Sequence, residues 1–299
     1  MDGKGVLTRI HPSAVVDSAA HIDSTATIAA YTVIEAEVTI GPDTIVGPHC
    51  HIQAGTVIGA GCQLHSGVVL GGTPQDRTFA GQPSGCEIGD GTTIREHVTI
   101  HRGTAPGSIT RVGQRCLLMV GSHVGHNCIV EDDVTLVNGA LLGGYVHVGK
   151  RAVLSGHVGV HQFVRIGEGA MVGVLSQITQ DVLPFFMVNG AGINVGINRT
   201  GLRRNGAESA DIDDVQRAYR ILCRERHSLP VARGLLQATV QTRFGQAIVS
   251  FLLSESRRGF HLEGVGRRTV HNGDSADLRE RLKPSATVPT AERNLDTCP

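Results

Sequence analysis

Aromatic side chains are scarce in this sequence of 299 residues, which has no tryptophan, three tyrosines and seven phenylalanines. A chain of this length can bury a large core, and so few rings predict a thin interior. The formal net charge is zero, which argues against a general nucleic-acid-binding protein. No apolar run reaches the roughly 18 residues of a membrane span, so no span is expected.

Signals of export and of metal binding are also missing. The opening Met1–Arg9 is short and polar and does not resemble a secretory signal. The seven cysteines have no paired spacing, which favours a reducing compartment, and we expect a cytoplasmic protein. The run His49-Cys50-His51 looks like a metal tripod. Neighbours on a strand face opposite ways, however, so no metal site is expected there.

What the sequence does contain is an aliphatic residue at every sixth position. Between Ile10 and Ile178, 26 of 29 positions at this spacing are Ile, Val or Leu, and only Asp76, Gln82 and Pro106 break the series. Neither a helix nor a simple strand has a period of six. Hexapeptide repeats of this kind predict a parallel β-helix, in which each hexad forms one short strand and one corner.

A second position in each hexad supports this interpretation. Two residues before each aliphatic stands a small or β-branched residue, such as Thr32, Cys50, Cys116 or Cys128. Residues two apart on a strand share a face, so both positions point inward. Three hexads would close a coil of 18 residues, and coils would stack at about 4.8 Å. Residues 18 apart in the sequence should therefore lie one above another.

The pattern divides the chain into three parts. Residues 1–190 form the predicted β-helix, interrupted by loops at 71–87 and 101–111 that preserve the period. Residues 191–258 show helical spacing and predict a small α-helical C-terminal domain. Residues 259–299 are polar, with scattered Pro and Gly, and are predicted to be a disordered tail.

One predicted column carries chemistry. His126, Gly144 and Gln162 are successively 18 residues apart, so they should share one edge of the coil. An imidazole beside an exposed backbone N–H offers a general base and an oxyanion donor, and the Gln162 amide offers a positioning group. Asp76 lies in the first loop, and the Arg203-Arg204 pair after the β-helix could grip a phosphate.

Several short motifs, in this order, resemble one enzyme family. They are TPQD (73–76), FAG and the following Pro83, IREHVTIHRGT (94–104), LLMVGSHVGHNC (117–128), VHQF (160–163), QDV (180–182) and NRTGLRRNG (198–206). Together they are similar to the UDP-N-acetylglucosamine O-acyltransferases, hexapeptide-repeat enzymes that open lipid A biosynthesis. The resemblance spans about residues 5–255.

The resemblance implies a homotrimer of left-handed β-helices with active sites between subunits. It implies transfer of an (R)-3-hydroxyacyl group from acyl carrier protein to the 3-hydroxyl of UDP-N-acetylglucosamine, with no metal or cofactor. His126 matches the general base and Gly144 the oxyanion donor. The matched substrate-binding residues are Asp76, His101, His123, His161, Gln162, Asn198 and Arg204.

Four positions depart from better-known members of that family. Thr78 stands where they have lysine, Asn127 replaces an acidic residue, and Tyr145 replaces a histidine. Val174 stands where long-chain members have glycine, so we expect it to shorten the acyl groove and favour a shorter acyl chain.

Other functions remain open from the sequence. A related hexapeptide sugar acyltransferase could use another sugar nucleotide or acyl donor, and the departures allow an inactive homologue. The pathway's N-acyltransferase has an additional N-terminal domain, whereas here the repeats begin near residue 10. An acetyl-CoA-dependent enzyme would lack the HRGT loop. A γ-type carbonic anhydrase would need metal-binding histidines, and a structural scaffold would have no need for the His126 column.

Overall fold

The computed structural model describes residues 9–225 and 227–264. In this part of the chain, nearly all strands are short and parallel and form three sheets of nine, eight and ten strands. Each coil contributes one strand to each sheet in turn. The first sheet contains Val15–Val16, Val33–Ile34, His51–Ile52, Val69–Gly72, Thr99–His101, His123–Val124, Leu141–Leu142, Gly159–Val160 and Gln177–Ile178.

The other two sheets repeat this arrangement. The second contains His21–Ile22, Thr39–Ile40, Thr56–Ile58, Gly85–Ile88, Ile109–Val112, Ile129–Val130, His147–Val148 and Arg165–Ile166. The third contains Thr27–Ile28, Ile45–Val46, Gln63–Leu64, Thr93–Ile94, Leu117–Leu118, Thr135–Leu136, Val153–Leu154, Met171–Val172, Phe186–Asn189 and Ile193–Ile197.

The register confirms the predicted stacking. Ile34 pairs with Ile52, 18 residues later. Across the first loop Leu70 pairs with Ile100, and across the second Ile100 pairs with Val124. Both insertions are therefore absorbed within one corner, and the predicted fold class, a left-handed parallel β-helix followed by a small helical region, is confirmed.

The interior is built from the two predicted inward positions. The aliphatic residues from Ile28 onward are almost fully buried, and so are the small residues before them. The small polar members also satisfy backbone carbonyls, as Thr32 Oγ1 does by donating to Gly47 O at 2.7 Å. Ile10 is 39% exposed, because no earlier coil lies against it among the described residues.

The loops are shorter than their predicted bounds. The strands leave only 73–84 and 102–108 outside the sheets, so the ends of 71–87 and 101–111 belong to strands. Both loops leave from the corner where the chain passes from the first sheet to the second, here called the first corner. This corner also contains 125–128, 143–146 and 161–164.

After the last coil the chain forms a hairpin and then helices. Phe186–Asn189 pairs antiparallel with Ile193–Ile197, so the hairpin spans residue 190, where the sequence placed the end of the β-helix. The helices are α1 Arg199–Arg204, α2 Ser209–Tyr219, α3 Leu229–Thr239 and α4 Arg243–Leu253, with a π-helical turn at Arg220–Arg224 after α2. No helix in the described residues has the length and apolarity needed to cross a bilayer.

Two aromatic residues join the helices to the β-helix. Phe185 packs edge-on against Phe244 with ring centroids 5.2 Å apart, and Phe186 packs against Tyr219 at 5.5 Å. Both phenylalanines are fully buried. The helical region therefore covers the C-terminal end of the β-helix core, as solenoid ends require.

The chain remains ordered beyond residue 258, where the sequence had placed the start of the tail. Phe260 bridges to Asp181 and Gly264 to Asn194, and His261 is buried. The first six residues of the predicted tail, 259–264, therefore belong to the fold, because they form backbone hydrogen bonds with the open edge of the last coil and with the hairpin. Residues 265–299 lie outside the described residues.

Candidate active site

A cavity of about 510 Å³ lies on the outer face of the first sheet, beside the first corner. Alternate residues of a strand face outward, so one residue from each successive coil lines its floor. The corner supplies the wall. The floor residues are His123, Leu141, Gly159 and Gln177, and the wall residues include His126, Gly144, His161 and Gln162.

His126 and Gly144 are stacked neighbours, as their spacing predicts. The His126 side chain is nine-tenths buried, and its backbone carbonyl accepts the N–H of Tyr145 at 2.9 Å. A methyl group on Gly144 would lie 2.5 Å from His126 Nε2, closer than atoms can approach. Glycine is therefore needed at 144 to leave room for the imidazole.

The peptide between Gly143 and Gly144 is held in a fixed orientation. The Cys128 thiol donates to Gly143 O at 3.1 Å, and burial raises the pKa of this thiol to about 12, so it keeps its proton. No acceptor for the Gly144 N–H is found among the described residues. This N–H lines the cavity beside His126, where it can receive an oxyanion.

Asp76 comes from the first loop to the edge of the same cavity. Its Oδ2 lies 4.0 Å from His126 Nε2. The Thr78 backbone N–H and hydroxyl donate to the other oxygen, Oδ1, at 2.9 and 2.7 Å. These hydrogen bonds hold the pKa of Asp76 below its usual value. Thr78 thus fixes the carboxylate near His126.

Two further histidines form a neutral pair on the cavity floor. The rings of His101 and His123 meet edge-on at 4.6 Å, and His123 Nδ1 lies 2.7 Å from Thr99 Oγ1. Burial, with the nearby charges of His123 and His126, lowers the pKa of His101 to about 4. Burial also lowers the pKa of His123. Both rings therefore offer uncharged hydrogen-bonding groups near neutral pH.

His161 and Gln162 form the exposed rim of the cavity, one coil above Gly144. His161 Nδ1 lies 3.1 Å from the Gln162 carbonyl oxygen. Since a carbonyl only accepts, Nδ1 carries a proton, and in the neutral ring Nε2 is then an acceptor. The Gln162 side chain completes the column of His126 and Gly144 that the 18-residue spacing predicts.

Asn198 and Arg204 do not join this cavity within one chain. They line a separate cavity of about 910 Å³ between α1 and the β-helix, together with Arg115 and Arg151. Both ends of the Asn198 amide are engaged there: Oδ1 accepts the Gly201 N–H at 2.9 Å and Nδ2 donates to Gly169 O at 2.9 Å. It caps α1, a role that the motif alone did not indicate.

Val174 also lies away from His126. It is 63% exposed and stands at the corner before the last strand of the first sheet, whereas His126 stands at the corner after that sheet. The outer face of the sheet separates the two. The predicted contact of Val174 with an acyl chain stays a prediction.

Sequence reasoning missed Thr104 as a member of the site. This residue of the second loop is buried, and its backbone N–H and hydroxyl reach Asn127 Oδ1 at 3.1 and 2.8 Å. Asn127 Oδ1 in turn lies 3.0 Å from His126 Nδ1. The HRGT motif contains Thr104, but only the path of the loop shows which side chain it meets.

The residues at the proposed site do not form a metal centre. Across residues 9–225 and 227–264 no group of three histidine, cysteine or acidic side chains is placed to hold a metal ion. Cys50 is buried while His51 bonds to Glu35 at 2.7 Å, so the residues of the His49-Cys50-His51 run face different ways.

Comparison with known proteins gives a consistent result. The sequence model for domain 2 of UDP-N-acetylglucosamine O-acyltransferase matches residues 181–261, and the bacterial transferase hexapeptide repeat matches residues 37–72. The acyl-[acyl-carrier-protein]–UDP-N-acetylglucosamine O-acyltransferase of Verminephrobacter eiseniae is 46% identical over 82 residues, 27% of this chain and 31% of that relative. The enzyme of that name from Gloeothece citriformis is 39% identical over 102 residues, 34% of this chain and 37% of the relative. The aligned segments thus span about a third of these curated relatives.

Solved structures extend the match to nearly their full length. The UDP-N-acetylglucosamine acyltransferase of Francisella novicida is 33% identical, with a TM-score of 0.82, and the match covers 86% of this chain and 95% of that one. The UDP-N-acetylglucosamine O-acyltransferase of Moraxella catarrhalis is 35% identical, with a TM-score of 0.80, and the match covers 84% of this chain and 99% of that one. The chain therefore belongs to the UDP-N-acetylglucosamine O-acyltransferase family of hexapeptide-repeat acyltransferases.

Proposed function

We propose that this chain transfers an (R)-3-hydroxyacyl group from acyl carrier protein to the 3-hydroxyl of UDP-N-acetylglucosamine, the first step of lipid A biosynthesis. One observation carries the proposal: the His126 imidazole lies against the Gly144 peptide at the wall of a cavity. A base and an oxyanion donor side by side are what acyl transfer to a hydroxyl requires. The names of the related enzymes support the two substrates.

The reaction proceeds by direct attack. His126 Nε2 removes the proton of the sugar 3-hydroxyl as its oxygen attacks the thioester carbonyl. The resulting tetrahedral oxyanion accepts a hydrogen bond from the Gly144 N–H. Collapse breaks the carbon–sulfur bond, and the imidazolium returns the proton to the departing thiolate. The products are the acylated sugar nucleotide and the free thiol of the carrier protein.

The residues around this pair place the substrates. Asp76, held by Thr78, accepts a sugar hydroxyl beside His126 Nε2. His101 and His123 present neutral rings on the cavity floor. His161 and Gln162 at the rim contact the sugar nucleotide or the pantetheine arm. We place this chemistry in the cytoplasm, because the seven cysteines have no paired spacing.

A homotrimer completes the site in this proposal. Asn198 and Arg204 lie in a separate cavity of the same chain, so a neighbouring copy must bring its own Arg204 to the diphosphate. Co-expression of His126→Ala and Arg204→Ala chains tests this, because a mixed assembly regains sites that contain both intact residues. Recovery of roughly a quarter of the wild-type rate is expected from random mixing of chains. No recovery in a mixed trimer would contradict a shared site.

The acyl-chain preference is assigned to Val174. Its exposed side chain stands across the first sheet from His126, where an acyl chain lying over that face would end. Val174→Gly should therefore move the preference toward longer acyl groups in a series of carrier-protein thioesters. An unchanged profile would rule out this role.

Acyl transfer itself is the deciding experiment. Purified protein is assayed with UDP-N-acetylglucosamine and a series of (R)-3-hydroxyacyl carrier-protein thioesters, alongside His126→Ala. Loss of a general base typically reduces the rate about 10²–10⁴-fold. His157→Ala is the matched control, since His157 is an exposed histidine at another corner. Undiminished turnover by His126→Ala, or no turnover by the wild type with any thioester, would contradict the proposal.

A further inference from the structure

We propose that Thr104 and Tyr145 are positioning residues that act through Asn127 to keep the proton of neutral His126 on Nδ1. This inference rests on the proposed function, because it concerns the base of that reaction. It unites two departures from better-known family members, at 127 and 145, in one hydrogen-bond chain that includes the second loop.

The first step fixes the orientation of the Asn127 amide. The Thr104 backbone N–H lies 3.1 Å from the Asn127 side-chain atom assigned as Oδ1. A backbone N–H only donates, so the atom facing it must be the oxygen and cannot be the NH₂ group. The Asn127 backbone is also held, at φ 60°, because its own N–H donates to Thr110 Oγ1 at 2.7 Å.

The second step assigns the tautomer of His126. The same Asn127 oxygen lies 3.0 Å from His126 Nδ1. An amide oxygen cannot donate, so Nδ1 must carry the hydrogen, and in the neutral ring Nε2 then has a free lone pair. Nε2 is the atom beside Gly144 and Asp76. The contact thus leaves the proton-accepting nitrogen facing the cavity.

The third step assigns donor and acceptor in the remaining hydrogen bonds. Thr104 Oγ1 lies 2.8 Å from Asn127 Oδ1, which only accepts, so the threonine hydroxyl donates its hydrogen there. Tyr145 Oη lies 3.0 Å from the same hydroxyl, so the phenol must donate to Thr104. The Tyr145 ring also packs edge-on against the His126 ring, at 5.3 Å and 89°.

The arrangement differs from a carboxylate partner in what it supplies. An amide oxygen orients the imidazole but brings no negative charge to stabilise the imidazolium. Three donors, the Thr104 N–H, the Thr104 hydroxyl and His126 Nδ1–H, converge on one oxygen. The orientation of the Asn127 amide and the His126 ring is therefore fixed by several contacts. It depends on the path of the second loop over the corner, since Thr104 belongs to 102–108.

The direct test is the tautomer itself. The full chain labelled with ¹⁵N-histidine is observed by NMR at about pH 8.5, where imidazoles are mostly neutral, and His126 is identified by its loss in His126→Ala. The wild type should show a protonated Nδ1 and an unprotonated Nε2. Thr104→Val and Tyr145→Phe should weaken that preference, while Thr104→Ser should keep it. A wild-type His126 protonated on Nε2 would overturn the proposal.

Kinetics provide the second readout. Thr104→Val should reduce kcat about 10–100-fold and Tyr145→Phe about 3–10-fold, with KM little changed, because the lost interaction orients the base without binding substrate. Thr104→Ser should recover most of the rate lost by Thr104→Val. If Thr104→Val does not fold, Tyr145→Phe alone carries the test. Unchanged kcat in Tyr145→Phe, or loss of rate without any change in tautomer, would contradict the positioning role.

A matched control separates positioning from stability. Thr32→Val removes another buried threonine hydroxyl, bonded to Gly47 O in an early coil, and should leave the His126 spectrum and kcat unchanged. The tautomer measurement needs no substrate. An inactive wild type with the expected tautomer would therefore refute the proposed function and support the inference. An active wild type without that tautomer would support the proposed function and refute the inference.

Discussion

At the scale of single residues, spacing predicted the contact between His126 and Gly144 but not the side chains that hold His126. His126 and Gly144 meet because strand stacking converts a separation of 18 residues into contact. Asn127, Thr104 and Tyr145 bond across sequence separations of 23 and 41 residues. Asn127 and Tyr145 are 18 residues apart and stack as the repeat predicts, but the position of Thr104 depends on the path of the second loop. The sequence therefore predicted that His126 and Gly144 meet, whereas the hydrogen bonds that reach His126 through Asn127 could be seen only in the structure.

The space beside Gly144 gives the first prediction. Gly144→Ala would place a methyl group 2.5 Å from His126 Nε2, and the imidazole would have to leave its position. Turnover should fall at least about 10²-fold, while the thermal midpoint changes by only a few degrees because the displaced ring borders an open cavity. Gly156→Ala is the control, with no atom closer than 3.5 Å to the added methyl group. An active Gly144→Ala enzyme would argue against this arrangement.

The neutral histidine on the cavity floor predicts a loss of stability in acid. The pKa of His101 is lowered to about 4 by burial and by the charges of His123 and His126, whereas an unfolded histidine titrates near pH 6.5. The unfolded state therefore binds a proton first as pH falls. Stability from this group is complete above about pH 6.5 and is lost between 6.5 and 4.

His101→Gln tests this linkage. Between pH 7.5 and pH 5 the free energy of unfolding should fall in both proteins, but by about 1 kcal/mol less in the variant. This figure allows for solvent screening of the partly exposed His101 ring. Urea unfolding at the two pH values gives the difference. His21→Gln, at an exposed position, is the control. Equal acid sensitivity of His101→Gln and wild type would show that His101 is not the group responsible.

At the scale of elements, the sequence predicted strands better than their ends. Strands recur where the aliphatic lattice places them, because one slip would expose every inward side chain. The loops, at 73–84 and 102–108, are shorter than predicted, since paired backbone extends the flanking strands. The hairpin at Phe186–Ile197 escaped prediction because its antiparallel pairing breaks the period of six.

The final described segment is an element that the sequence assigned to the tail. His261 is 5% exposed; its Nε2 accepts the Gln180 N–H at 3.1 Å, and its backbone N–H donates to Asp181 O at 2.9 Å. Asn194 Nδ2 donates to the His261 carbonyl at 2.6 Å. One residue thus ties the last coil to the hairpin.

His261→Ala should loosen that connection. The Gln180 N–H would lose its acceptor, at a cost of about 1–3 kcal/mol, and its hydrogen exchange should accelerate about 5–100-fold. Burial lowers the pKa of His261, so the segment also loses stability as pH falls and the ring takes a proton. Exchange at Gly125, remote from this end of the molecule, serves as the internal reference. Unaltered exchange at Gln180 would disprove the connection.

At the scale of the whole molecule, stability comes from contacts between successive coils. Each coil buries its inward residues against the coil before and after it, and solenoids of this kind behave as one-dimensional stacks. Composition pointed to this architecture, because few aromatic rings fit the interior. The only large aromatic cluster in the described residues lies where the helices cover the end of the stack.

A whole coil should therefore be removable. Deleting residues 35–52 joins Ile34 to Gln53 and keeps the aliphatic lattice in phase. This variant should fold with a single cooperative transition and a midpoint lower by roughly 5–15 °C. Deleting residues 35–49 removes fewer atoms but shifts the lattice by half a repeat, and it should not fold. Circular dichroism and thermal melting of the two proteins test this, and equal folding of both, or of neither, would contradict the prediction.

The stacking of His126 under Gly144 has a consequence for how such an enzyme can change. The two residues belong to adjacent coils, so their backbones are separated by the interval between hydrogen-bonded strands, near 4.8 Å. Side-chain replacement leaves that backbone spacing unchanged. If the proposed roles hold, substitutions at outward-facing residues such as Val174 change substrate preference, whereas the backbone spacing between the coils of His126 and Gly144 stays the same.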